Sequence, residues 1–145
     1  MPKTIFVNLP VADVAAATAF YTALGFERDP RFSNDQASAM TWSDTISVML
    51  LAHDFYRTFT TKRIADTHAT SAALLCLSLD DRAAVDRITD AAIAAGGRET
   101  RPAQDHGFMY GRAFEDLDGH GYEPMYMDTA AALAAFAAAP QAVEA

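Results

Sequence analysis

The chain has 145 residues, of which 51% are hydrophobic and 21% are charged, so it is long and apolar enough to fold around a buried core. Its formal net charge of −8 argues against binding to the phosphate backbone of nucleic acids or to anionic membranes. The single cysteine, Cys76, allows no intramolecular disulfide, and no apolar segment has the length of a membrane span. We therefore expect a cytoplasmic protein whose partner is a small molecule.

The first half of the chain predicts a strand, a helix and three further strands. Residues 4–11 are apolar and β-branched, which is typical of a buried strand. Asp13 can cap a helix whose apolar side chains recur at helical spacing, and Gly25 can end it. Strand-like runs follow at residues 27–32, 37–43 and 46–51. We assign residues 4–52 to this first unit.

The same order of elements returns in the second half, after a linker at residues 53–71 that lacks a clean period. The segment "AALLCLSL" predicts a buried strand, Asp80 or Asp81 can cap a helix, and the pair Gly96–Gly97 can end it. Strand-like runs lie near residues 97–100, 108–115 and 122–127, the last two joined by a turn at Asp118–Gly119. The second unit spans residues 72–128, and an alanine-rich tail covers residues 129–145.

This repetition, at an offset of about 68 residues from Asp13 to Asp81, predicts an α+β fold. We expect a single domain over residues 1–145, made of two βαβββ units that together form a cup-shaped, curved mixed sheet. Each unit has one helix, which covers one face of its strands and leaves the other face free. Because the free faces curve toward each other, they enclose a concave apolar space of the kind that binds small molecules.

Three segments of the chain resemble the vicinal oxygen chelate superfamily, which includes glyoxalase I, bleomycin resistance proteins and extradiol dioxygenases. They are "VNLPVADVAAATAFYTALGFE", "LSLDDRAAVDRITDAAIAAGG" and "GRAFEDLDGHGYEPMYMD". The last contains a D-x-D-G-x-x-x-E hairpin that is typical of the superfamily, and the chain is most similar to bacterial proteins described as predicted lactoylglutathione lyases. The resemblance implies a glyoxalase-like fold and a homodimer. The alanine-rich tail is either a packing helix at that contact or a frayed terminus, since alanine favours a helix but buries little surface.

The resemblance also implies a divalent-metal site on four strands, with Glu123 at the final ligand position. By the same alignment the other three positions hold Phe6, Met49 and Leu74, and none of these suits nickel, zinc or iron. We therefore expect an apolar cup that binds a small molecule without the full metal site and without a cofactor. The alternative is a metal-dependent lyase or isomerase of the lactoylglutathione lyase type, in which Glu123 moves a proton. An extradiol dioxygenase needs two histidines beside the glutamate and ranks last, so whether the protein is an enzyme stays open.

The candidate site residues follow from strand alternation. Glu123 shares a face with Met125; as a lone carboxylate in an apolar cup it is a candidate catalytic base, whereas the competing interpretation pairs it with an arginine. Arg112 is a candidate partner for an anionic ligand, or for a nearby carboxylate such as Glu115, Asp116 or Glu123. We expect Cys76 to be buried and unreactive. The candidate ligand contacts are Phe6, Asn8, Met49, Leu74, Cys76, Tyr110, Arg112, Met125, His53 and His106.

Overall fold

The computed structural model describes residues 1–138, which form two four-stranded sheets and four α-helices. The strands of the first sheet are β1 (Ile5–Val11), β2 (Glu27–Arg28), β3 (Ala37–Ser43) and β4 (Ile46–Ala52), and those of the second are β5 (Leu74–Ser78), β6 (Arg98–Asp105), β7 (Met109–Glu115) and β8 (Gly121–Met127). The first sheet has the order β1-β4-β3-β2 and the second the order β5-β8-β7-β6. The helices are α1 (Val14–Ala23), α2 (His53–Tyr56), α3 (Arg82–Ala94) and α4 (Thr129–Ala138).

The two sheets repeat one topology, which confirms the predicted α+β fold. In each unit the first strand pairs in parallel with the last, and the remaining pairs are antiparallel. The connecting helix begins at an aspartate in both units. Asp13 accepts a hydrogen bond from the Ala16 backbone N–H at 3.0 Å, and Asp81 accepts one from Ala84 at 2.7 Å. These side chains satisfy N–H groups that the first turn of a helix leaves without partners.

Helices α1 and α3 cover one face of the strands, and a shared core joins the two units there. Tyr21 of α1 is fully buried, and its ring packs edge-to-face against that of Tyr122 on β8 at a centroid distance of 5.9 Å. Phe114 of β7 is stacked on Tyr122 from the other side. On the opposite face, Phe6 and Leu74 are each 60% exposed. The face away from α1 and α3 therefore remains largely open.

Two strand boundaries differ from the sequence pattern, and proline is involved in both. The run predicted at residues 27–32 is a two-residue strand followed by a 3-10 turn at Pro30–Phe32, because proline has no N–H for the ladder. Strand β6 instead extends to Asp105 and passes Pro102 with two register irregularities against β7. Such bulges accommodate a proline at an edge strand.

The tail begins as predicted, with a helix. Asp128 caps α4 by accepting a hydrogen bond from the Ala131 backbone N–H at 3.0 Å. Leu133 and Phe136 of this helix are largely exposed, and the ring of Phe136 contacts that of Phe108. Residues 139–145, the end of the predicted tail, lie outside the described residues. Among residues 1–138, no helix combines the length and the hydrophobicity that crossing a membrane requires.

Candidate ligand-binding site

A cavity of about 640 Å³, here called the seam pocket, lies where edge strand β1 and the linker meet the open face of the second sheet. One wall is β1, and the linker between the units closes the opposite side. Arg101, Ala113 and Glu123 come from the second sheet. The lining consists of residues 7–10, Tyr56, Ala65, residues 67–75, residues 100–101, residues 113–115 and residues 119–123.

The β7–β8 turn fixes the position of both the linker and β1 around this cavity. The Thr67 hydroxyl donates a hydrogen bond to the backbone carbonyl of Asp118. On the other side, the Ala12 backbone N–H donates to the Asp118 carboxylate at 2.9 Å, and Nε2 of His120 donates to the Pro10 carbonyl at 2.7 Å. His120 is buried, although its place in a turn suggests a solvated side chain. The D-x-D-G hairpin thus forms hydrogen bonds with both β1 and the linker and fixes these two walls of the pocket relative to each other.

Glu123 lies in the seam pocket, but it is not the lone carboxylate of the catalytic-base hypothesis. Its Oε2 atom is 3.2 Å from Nη1 of Arg101, and each side chain is 31% exposed. The competing interpretation, pairing with an arginine, is therefore correct. The sequence pattern did not identify Arg101 as a partner of Glu123. Its strand is irregular next to Pro102, so strand alternation does not predict which face of the sheet the Arg101 side chain lies on. The ion pair leaves the pocket with an acceptor and several N–H donors side by side.

Cys76 lies directly opposite Glu123 in the β5–β8 ladder. Its side chain is exposed rather than buried, which corrects the expectation from its apolar neighbours. Desolvation raises the pKa of the Cys76 thiol, the negative charge of Glu123 raises it further, and Arg101 opposes them. A thiol with a raised pKa stays protonated at neutral pH and is a poor nucleophile. Cys76 is therefore not a candidate for covalent chemistry.

The residues at the implied metal positions do not fit a divalent ion. Phe6, Met49 and Leu74 present hydrocarbon and thioether groups, whereas such ions take oxygen and imidazole ligands. Across residues 1–138, no group of three or more His, Cys, Asp or Glu side chains is arranged to hold a metal. The fourth position, Glu123, is held by Arg101. No step of a reaction can therefore be assigned to a metal bound by these side chains.

The predicted contacts on β1, β4, β5 and β8 are divided between two cavities and the surface outside them. Asn8 and Leu74 line the seam pocket together with Glu123. Asn8 also lines a second cavity of about 370 Å³ on the first sheet, together with Met49, its partner in the β1–β4 ladder. Phe6, Cys76 and Met125 lie on these strands but outside the lining of both cavities.

Tyr110 and Arg112 lie on the face of β7 that packs against α3, away from the two cavities. The Tyr110 hydroxyl donates to Asp86 at 2.7 Å, and Arg112 donates to Asp86, Asp90 and Glu99 at 2.9–3.1 Å. Hydrogen bonding, most of all to Glu99, raises the pKa of Arg112 above its usual value. The predicted partners of Arg112 on the same strand or hairpin are therefore wrong, and this arginine ties α3 to the second sheet.

His53 and His106, the two predicted histidine contacts, also lie outside both cavities. His53 begins α2, just after β4. His106 lies in the β6–β7 turn, where its ring is stacked on that of Phe108 at a centroid distance of 6.2 Å. Glu123 lines the seam pocket and neither histidine does, so the two histidines and the carboxylate do not form a common site.

The comparisons with known proteins agree with this architecture. The family described as "Bleomycin resistance protein-like N-terminal" matches residues 3–34, and a search of curated proteins gives no significant match. Among solved structures, the chain is similar to hypothetical protein SA1046 from S. aureus, with 23% identity, a TM-score of 0.74, and coverage of 87% of this chain and 95% of the other. A glyoxalase/bleomycin resistance protein/dioxygenase family enzyme from Burkholderia phytofirmans PsJN gives 19% identity and a TM-score of 0.74, with 87% and 99% coverage.

A third similar structure is a bleomycin resistance determinant encoded on the transposon Tn5, with 21% identity, a TM-score of 0.62, and coverage of 88% of this chain and 99% of the other. The class defined by these neighbours is the glyoxalase/bleomycin resistance/dioxygenase fold. The predicted resemblance to the vicinal oxygen chelate superfamily is therefore confirmed at the level of the fold.

Proposed function

We propose that this protein binds a small, largely apolar organic molecule in the seam pocket, without a full divalent-metal site. The observation that carries the proposal is a 640 Å³ cavity that contains a single Arg101–Glu123 ion pair next to side chains such as Leu74 and Ala113. Pockets that hold drug-sized molecules measure roughly 300–1,000 Å³ and combine an apolar lining with a few polar groups. Both the size and the lining of the seam pocket match that description.

The ion pair defines which polar group the ligand carries. Arg101 and Glu123 neutralise each other, so neither a strongly cationic nor a strongly anionic ligand gains a full opposite charge. Their free edges still offer N–H donors and a carboxylate acceptor in one place. An amide, or another neutral group that both donates and accepts, satisfies both partners at once.

Replacing Glu123 with glutamine is expected to weaken binding of such a ligand about tenfold or more, because hydrogen bonds to charged groups contribute roughly 1.5–3 kcal/mol. Ligands are first found by a thermal-shift screen of neutral amides and are then titrated by calorimetry against the native protein and Glu123→Gln. Asp54→Asn serves as the control, since Asp54 pairs with Arg57 at a side-chain exposure of 95% and lies outside both cavities. Equal affinity in Glu123→Gln and the native protein would reduce Glu123 to a structural role.

The second candidate is a glyoxalase-type lyase or isomerase with Glu123 as the proton acceptor. The observation in its favour is that Glu123, at the final ligand position of the resemblance, does line the pocket. Its ion pair with Arg101 counts against this role, because the carboxylate is engaged with a guanidinium rather than free to meet a substrate proton. A dioxygenase is less supported still: His68 and His120 line the pocket, but within residues 1–138 no two histidines are grouped with Glu123 to hold a metal.

Purified protein is expected to contain well under one equivalent of nickel, zinc, iron or manganese, because only one of four implied ligand positions has an oxygen donor. Elemental analysis after dialysis against buffer of defined metal content measures this directly. One equivalent of bound metal, lost together with catalytic turnover on chelation, would favour the lyase instead.

We also propose a homodimer in which a second copy covers part of the open face. Phe6, Leu74 and Met127 are exposed apolar side chains on or next to that face, and Leu133 and Phe136 are exposed on α4. Monomeric proteins rarely leave such side chains together in water. Their burial between two copies is favourable at roughly 25 cal/mol per Å² of apolar surface.

A further inference from the structure

The second cavity, here called the aromatic pocket, carries a more specific inference. It has a volume of about 370 Å³ and lies on the first sheet, between the 3-10 turn and the segment that begins with α2. Its floor is made by Ala37, Met49 and Leu51, and three phenylalanines surround it. The full lining is Asn8, Arg31, Phe32, Ser33, Asn34, Ala37, Met49, Leu51, Phe55 and Phe59.

Two of the three phenylalanine rings that line the aromatic pocket are largely exposed to solvent. Phe32 is 63% exposed and Phe59 is 62% exposed, although both line the cavity. Phe55 holds Phe59 in an edge-to-face contact at a centroid distance of 5.1 Å. A flat aromatic ligand packed against these rings would gain binding free energy from offset or edge-to-face contacts in addition to the burial of apolar surface.

Most polar groups of the lining are already engaged within the protein, whereas the amide of Asn8 and the side-chain NH2 of Asn34 form no hydrogen bond within residues 1–138. Arg31 forms two hydrogen bonds with the Asp29 carboxylate at 2.8 and 3.0 Å, so its charge is neutralised. The Ser33 hydroxyl donates to the Asp29 carbonyl and accepts from the Ala39 N–H, and the side-chain oxygen of Asn34 accepts from two backbone N–H groups. The pocket therefore favours an uncharged ring.

Asn8 lines both the aromatic pocket and the seam pocket. Its amide offers one acceptor oxygen and two N–H donors, which match a ring edge that donates and accepts, as a cyclic amide does. A molecule that meets Asn8 from the aromatic pocket is thus already next to the cavity that holds Glu123.

We infer that the aromatic pocket binds a flat, uncharged aromatic or heteroaromatic ring with a cyclic-amide edge, held by Phe32, Phe59 and Asn8. This inference rests on the proposed function, because it assigns the ring to the same ligand whose remainder occupies the seam pocket.

The test uses 2-quinolinone as the probe, with its ring-saturated analogue as a comparison, followed by nitrogen-15 NMR of the native protein. The probe is expected to shift the side-chain amide signals of Asn8 and the backbone signals of Phe32 and Phe59, and the saturated analogue to bind more weakly. Phe59→Ala should weaken binding about tenfold, since aromatic contacts add to the loss of apolar area. Asn8→Ala should weaken it as well.

Phe136→Ala is the matched control, because Phe136 is an exposed phenylalanine that lines neither cavity. No binding at millimolar probe, shifts confined to the seam pocket, or equal weakening in Phe136→Ala would each overturn the inference. So would self-association of the native protein that Phe59→Ala abolishes and the probe does not compete with, since a second copy would then occupy the pocket.

The two proposals fail separately. If ligands depend on Glu123 but 2-quinolinone leaves the signals of Phe32 and Phe59 unchanged, only the inference about the aromatic pocket fails. If 2-quinolinone binds there while no ligand shows a dependence on Glu123, the proposed function of the seam pocket fails instead.

Discussion

Replacing Gly119 with alanine is expected to lower the free energy of unfolding by about 2–4 kcal/mol, from backbone strain and overpacking together. Gly119 has a φ of +86°, which L-residues with a Cβ atom rarely adopt. A Cβ atom at this position would lie 2.6 Å from the Thr67 carbonyl oxygen and 2.8 Å from the His68 backbone nitrogen. Both are backbone atoms of the linker, so they cannot move aside as the end of a side chain would.

Gly107→Ala is the matched control for this prediction. Gly107 also has a positive φ, of +79°, but a Cβ atom there meets nothing within 4 Å. It therefore isolates the backbone strain, which costs roughly 1–2 kcal/mol. Urea unfolding followed by circular dichroism measures both variants. If Gly119→Ala is no less stable than Gly107→Ala, the linker is not held against the hairpin as described.

The same substitution is expected to change the seam pocket. Thr67 and His68 belong to its lining, and a displaced linker would widen the cavity or expose it to water. Ligand affinity measured on folded Gly119→Ala at low temperature should therefore fall, whereas Gly107→Ala should keep the native affinity. Stability and binding then report on a single structural feature, the contact between the β7–β8 turn and the linker.

Replacing Asp116 with alanine is expected to lower the free energy of unfolding by about 3–5 kcal/mol, because several buried donors lose their shared acceptor at once. Asp116 is 4% exposed. Its carboxylate accepts from the Tyr21 hydroxyl at 2.6 Å and from the backbone N–H groups of Asp118 and His120 at 2.9 Å each. The variant leaves these groups unpaired and frees the turn that holds β1 and the linker.

Tyr21→Phe is the control for this second prediction, because it removes one hydroxyl and keeps the ring in the core. The removed hydroxyl bonds to both Asp116 and Tyr122, so the expected cost is about 1–3 kcal/mol, as for two ordinary hydrogen bonds. A loss in Asp116→Ala no larger than that in Tyr21→Phe would show that the carboxylate does not organise the turn.

The decrease in the free energy of unfolding caused by Asp116→Ala is also expected to depend on pH. Burial raises the pKa of Asp116 above its ordinary value of 3.8, so the folded state holds the proton more tightly than the unfolded chain does. For a carboxyl group shifted in this direction, the contribution to stability is fully present below pH 3.8 and declines as the pH rises through the raised pKa. The difference in unfolding free energy between native protein and Asp116→Ala should therefore be larger near pH 4 than near pH 7. A difference that grows toward neutral pH would contradict this assignment.

The order of elements was predictable because it depends on local patterns. Asp13 and Asp81 are each followed by apolar residues at helical spacing, and Asp118–Gly119 is a turn signal between two apolar runs. Each of these features acts within a few residues, so the chain alone carries it. The repetition of the pattern then determined the α+β class.

The site depended on contacts between distant segments, and only the tertiary structure decided those. Strand alternation correctly placed Tyr110 and Arg112 on one face of β7. It could not predict which face α3 would cover, and both residues form hydrogen bonds with α3. Arg101 reaches Glu123 only because β6 is irregular beside Pro102. Strand period fixes which side chains share a face, whereas register and helix packing fix what that face meets. The sequence by itself therefore determined the fold and the position of Glu123 on its final strand, while tertiary packing decided that this carboxylate is paired and which cavities surround it.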